Sequence, residues 1–130
     1  MKLTQKTIFV IVVVILILGT VLAVLLGSNK NNVPVGKYDQ LATCLKEQGA
    51  VFYGAFWCPH CIATKKLFGS SASLLPYIEC STPDGGGQLP ICKDKKIEGY
   101  PTWEFKDSSR LTGEVTIQQL ADKTSCPLPQ

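Results

Sequence analysis

Residues 8 to 27, IFVIVVVILILGTVLAVLLG, carry no charge, and Thr20 is the one appreciably polar side chain among them. As a helix rising 1.5 Å per residue, this block reaches about 30 Å, the thickness of a bilayer's hydrocarbon core. Two roles suit it, a cleaved signal peptide or an uncleaved anchor. The apolar region of a signal peptide runs to about 7 to 15 residues. This run is longer, and neither a convincing small-x-small cleavage site nor a lipobox cysteine follows, so an anchor is the expectation. Lys2 and Lys6 precede the span and only Lys30 follows closely. The positive-inside rule then puts residues 1–7 in the cytoplasm and everything after the anchor outside it, in the periplasm or extracellular space.

The 130 residues leave room for one compact domain beyond the anchor. The 45% hydrophobic content overstates that domain's core, because so much of it lies in residues 8–27. The formal charge of +3 shrinks similarly: without Lys2 and Lys6, 11 basic residues face 10 acidic ones. That balance excludes a nucleic-acid footprint, and no apolar stripe outside the anchor demands a dimer. The division is residues 1–7, an anchor at 8–27, a polar tether SNKNNVPVG at 28–36, and a domain at 37–130.

Within the domain, KYDQLATCLKEQG places Tyr38, Leu41, Ala42 and Leu45 on one helical face, and Gly49 can end the helix. AVFYGAF, residues 50–56, reads as a buried strand whose end is Trp57. WCPHCIATKKLFG then starts a helix with Pro59 in its first turn and stops it at Gly69. The small polar stretch SSAS leads to a second strand, PYIE, ending at Cys80. A turn-rich loop and a short helical turn around 90–97 precede the strand GYPTWEF; DSS folds back into RLTG as a hairpin. Thr116 with Gln119 matches a capping box for a last helix. Strands alternate with helices first, and then pair antiparallel.

All six cysteines, at 44, 58, 61, 80, 92 and 126, follow the anchor, on the side where disulfides persist. Six cysteines permit 15 complete pairings. Cys58 and Cys61 differ from the rest by spacing and place: Cys58 stands at a helix N-terminus, where backbone N–H groups and a dipole of about +0.5 charge favour a thiolate. His60 can add a hydrogen bond or a positive charge, and Pro59 stiffens the turn without wasting an N–H. Cys61, one turn later on the same side, is expected to be more buried and less acidic. Cys58 is thus the attacking nucleophile and Cys61 the group that resolves the mixed disulfide.

Two other uses of the pair compete with this one. A C-x-x-C staple closes too short a loop to gain much entropy. A zinc site from Cys58, Cys61, Cys80 and Cys92 lacks a second C-x-x-C. No metal and no cofactor beyond the 58–61 disulfide is expected.

FYGAFWCPHC, PYIEC and YPTWEF together resemble the thioredoxin superfamily, over roughly residues 37 to 125. More closely, the sequence looks like the thioredoxin-like domain of bacterial vitamin K epoxide reductase homologues, and the inner Pro59-His60 resembles that of DsbA-type oxidases. The resemblance implies an α/β thioredoxin-like fold, a central mixed sheet flanked by helices, behind a single transmembrane helix. It implies a cis peptide before Pro101, with Trp57, Tyr100 and Pro101 shaping a groove where an extended protein substrate pairs beside Cys58. It also implies a structural disulfide between Cys80 and Cys92. By elimination Cys44 pairs with Cys126, a pair the resemblance does not cover; free thiols or an intermolecular bridge are the alternative.

Many thioredoxins and DsbA-type proteins carry a buried carboxylate six residues before the first active cysteine, where this chain has Phe52. Glu79 and Glu104 lie on neighbouring strands, and the proton-transfer role stays unassigned between them, other groups and water. The expected function is that of a membrane-anchored, monomeric thiol–disulfide oxidoreductase that oxidises secreted protein thiols. A vitamin K epoxide reductase-like or DsbB-like membrane oxidase, linked to quinone, would reoxidise it. The alternatives are a reductase or isomerase running the other way, and a redox-inert binding module.

Overall fold

A computed structural model describes residues 4–26 and 36–129. The tether called at 28–36 lies, except for Gly36, outside the described residues, as do Lys2 and Lys30, on which the expected orientation rests. The apolar block forms one helix, α1 (Gln5–Leu26), long and apolar enough to cross a membrane.

The remaining described residues form a mixed α/β unit in the order α2 (Asp39–Glu47), β1 (Val51–Gly54), α3 (Pro59–Phe68), β2 (Tyr77–Glu79), α4 (Pro90–Asp94), β3 (Thr102–Glu104), β4 (Arg110–Thr112) and α5 (Ile117–Thr124). The sheet runs β2-β1-β3-β4. β1 pairs in parallel with β2 through the α3 crossover, and antiparallel with β3, which makes the hairpin with β4. This is the thioredoxin-like arrangement, a central mixed sheet between helices.

Alternation along the strands splits the core in two. Phe52, paired with Tyr77 on one side and Trp103 on the other, faces α2, α3 and α5 together with Leu41, Leu45, Phe68 and Leu120. Tyr53 faces the opposite way, toward Cys80, Cys92 and Ile97. Phe52 is fully buried, stacked on Trp103 with centroids 4.7 Å apart and edge-on to Tyr77 at 5.1 Å.

Local signals set most boundaries. Pro59 opens α3, and Gly69 closes it at φ 57°, a conformation that glycine adopts without Cβ strain. Thr116 Oγ1 accepts from the Gln119 N–H while Gln119 Oε1 accepts from the Thr116 N–H, the reciprocal box at the start of α5.

The strands differ from expectation in length. β1 stops at Gly54, since Ala55 turns to accept the Cys58 N–H at 3.0 Å, and Trp57 stands in that turn, half-exposed, instead of ending the strand. The SSAS stretch lies in a 3₁₀ helix at Gly69–Leu74, where the buried Ser71 accepts the Tyr38 N–H through its hydroxyl.

Two disulfides close the unit. Cys44 in α2 is bonded to Cys126 beyond α5, and Cys80 after β2 to Cys92 in α4.

Candidate functional site

Cys58 and Cys61 are the free thiols. The loop leaving β1 brings Cys58 to the N-cap of α3, with extended backbone (φ −74°, ψ 120°), and its carbonyl accepts the Ile62 N–H as the first bond of the helix. One turn on, Cys61 points into the core beneath it. Both are nearly covered, Cys58 at 4% exposure and Cys61 at 1%. Cys58 is the more open of the two, but far less so than a freely reachable nucleophile.

Facing Cys58 is the peptide between Tyr100 and Pro101, which is cis. The Tyr100 carbonyl accepts the Cys58 thiol at 3.6 Å, and Pro101 is fully buried behind it. Tyr100 is held from both ends. Its ring meets Trp57 edge-on at 6.1 Å, and its hydroxyl accepts from Gln88 Nε2 at 2.7 Å. Trp57, in turn, donates its indole N–H to Ser81 Oγ at 2.8 Å. Trp57, Cys58, Tyr100 and Pro101 are thus brought together.

His60 lies on the outer side of α3. Its Nδ1 sits 2.7 Å from Glu114 Oε1, with both side chains largely exposed, so the ring engages Glu114 rather than a cysteine. Glu114 escaped the sequence reading because it lies 54 residues away, beyond any local spacing rule.

Burial pushes the Cys61 thiol up to about 12, with the neighbouring Cys58 adding to the shift; the Ala55 backbone and the Lys65 charge oppose it. A thiol so placed holds its proton across the physiological range. The two carboxylates left open by the sequence separate cleanly. Glu104 sits on the sheet face away from the dithiol, in ion pairs with Lys95 and Arg110. Glu79 sits on the dithiol face: it accepts the Tyr77 hydroxyl at 2.7 Å, the Ser81 N–H at 2.8 Å and the Phe56 N–H at 3.2 Å.

Tyr77 and Lys65 were missed as site residues. Their sequence signals are weak: Tyr77 and Glu79 share a strand face at i, i+2, and Lys65 lies at i+4 from Cys61 on α3. Among the described residues, no group of His, Cys, Asp or Glu side chains is arranged to hold a metal ion.

Fold and site define the class: a thioredoxin-like domain with a C-P-H-C dithiol at a helix N-terminus, opposite a cis-proline turn. The sequence is similar to thiol-disulfide oxidoreductase LTO1 of Arabidopsis thaliana, with 44% identity over 95 residues, 69% of this chain. The chain spans 25% of that relative's length. No family model matches the sequence. The likeness supports redox chemistry at the dithiol.

Proposed function

We propose that this chain is a membrane-anchored, extracytoplasmic thiol–disulfide oxidoreductase that introduces disulfides into secreted proteins. The observation that carries the reading is the division of the cysteines: four are tied in two disulfides, and the remaining pair lies at the start of α3 against the Tyr100 carbonyl. Structural disulfides suit an oxidising compartment, and α1 suits a membrane anchor. The name of the Arabidopsis relative supports the reaction class.

In this reading a substrate thiolate attacks Cys58 Sγ of the 58–61 disulfide, and Cys61 leaves. A second substrate thiolate then attacks the substrate sulfur of the mixed disulfide and releases Cys58. Two electrons pass from substrate to chain, and a quinone-linked membrane oxidase of the vitamin K epoxide reductase or DsbB type removes them. Trp57 and Tyr100 form the wall along which an extended substrate segment lies, and the buried Pro101 holds the Tyr100 carbonyl in place behind it.

The test is the reduction potential of the full chain in detergent, equilibrated against glutathione buffers. A value more positive than about −270 mV, that of thioredoxin, is expected; one at or below it overturns the oxidant direction in favour of a reductase. A Cys61→Ala chain should capture mixed disulfides through Cys58. If it captures none, and Cys58→Ser with Cys61→Ser leaves substrate oxidation in the parent cells intact, the domain is a redox-inert binding module.

A further inference from the structure

A resolving thiol must lose its proton before it attacks and regain it when it leaves. For Cys61 that exchange is obstructed, because the thiol is 1% exposed and the buried Phe52, six residues before Cys58, offers no titratable group. A side route is built at Gly54. A Cβ added there would stand 2.9 Å from Cys61 Sγ, 2.8 Å from Tyr77 Cε2 and 3.4 Å from the Tyr77 hydroxyl oxygen. With no side chain at Gly54, the thiol and the phenol border one shared gap.

The phenol continues outward. Its hydroxyl donates to Glu79 Oε2 at 2.7 Å, and the Lys65 ammonium lies over its ring, 3.3 Å from the centroid. Burial first, then the hydrogen bond and charge of Glu79, raise Tyr77 well above the ordinary phenol range, so it stays protonated between the thiol and the carboxylate. Lys65 is the cation that acts against the raised Cys61 value. The charged or titratable groups facing this gap are Cys58 and Lys65 from α3 and Glu79 from β2; β1 presents Phe52, Gly54 and the Ala55 backbone.

Resting on the oxidoreductase reading above, we propose that Tyr77 and Glu79 form a hydroxyl–carboxylate relay for the Cys61 proton, with Lys65 positioned to stabilise the thiolate. With a substrate sulfur joined to Cys58, the Cys61 S–H proton passes to Tyr77 Oη as the Tyr77 O–H proton passes to Glu79 Oε2. The Cys61 thiolate attacks Cys58 Sγ, the 58–61 bond forms, and the substrate leaves as a thiolate that takes up a proton. The chain's two thiols supply the two electrons. In substrate oxidation the sequence reverses, and Glu79 returns the proton as Cys61 leaves.

The experiment mixes reduced full chain in detergent with oxidised glutathione. Acid quenching and mass spectrometry then separate the Cys58 mixed disulfide from the closed 58–61 form. Tyr77→Phe, which keeps the ring under Lys65, and Glu79→Gln should each accumulate mixed disulfide, with closure slowed about tenfold or more at pH 7. The deficit should shrink as pH rises and hydroxide replaces the relay, and the double variant should be no slower than the slower single one. Glu104→Gln should close at the wild-type rate. Wild-type closure by both single variants, equal slowing in Glu104→Gln, or a deficit equal at every pH would each overturn the relay while leaving the oxidoreductase reading intact. A wild-type chain that neither forms the mixed disulfide nor closes would remove that reading, and the relay with it.

Discussion

Cys61 shows how far one residue's chemistry is set by what surrounds it. The C-x-x-C spacing identifies the residue, but its thiol is pushed from an ordinary 9.0 to about 12 by desolvation between α3 and β1. The sign of the consequence follows from proton counting. Between about pH 9 and 12 the unfolded thiol releases its proton while the folded one keeps it, so stability falls as pH rises through that window. Below it, the contribution is fully present. The oxidised chain has no such thiol, so the stability of reduced minus oxidised chain, from urea midpoints, should decline from about pH 9 upward; a flat difference would refute the burial of Cys61. Which carboxylate lies on the dithiol side of the sheet was not legible at this scale. Glu79 and Glu104 each sit on a strand next to β1, and only the register, Gly54 beside Glu79 and Val51 beside Glu104, turns one toward the dithiol and the other away.

Elements were more legible than their ends. The order of helices and strands follows from periodicity and turn residues, and the helix starts at Pro59 and Thr116 follow from side chains that act on their own backbone. The cap of α5 gives a direct check: Thr116→Ala removes the acceptor for the Gln119 N–H and should cost about 1 kcal/mol, read as a lower denaturation midpoint. Retention of the full midpoint would mean that packing of Leu120 and Ala121 alone holds the helix. Strand ends were less legible, because strands stop where pairing stops. AVFYGAF is apolar and β-forming throughout, but its partners on β2 and β3 extend only far enough to pair Val51–Gly54, and the backbone of Ala55 goes to cap the loop before α3.

At the scale of the whole molecule, the cysteines bind together parts that the sheet does not. Cys44–Cys126 spans 82 residues and joins α2 to the segment after α5, whereas Cys80–Cys92 closes only 12. Loop entropy ranks them: replacing the long pair by alanines should cost about 4 to 5 kcal/mol, and the short pair about 3 kcal/mol. Thermal or urea unfolding of the two double variants of the full chain checks the order, and a reversed ranking would show that the 80–92 pair acts mainly by packing beneath Tyr53 and Ile97.

From sequence alone came the apolar helix, the α/β order and the nomination of Cys58 and Cys61, since each rests on composition, periodicity or spacing within a few residues. Tertiary structure decided which carboxylate lies on the dithiol face of the sheet, that His60 turns to Glu114, and that Tyr77 and Cys61 border one gap beside a glycine on β1. These depend on the sheet's register and on burial, properties that arise only when distant segments pack.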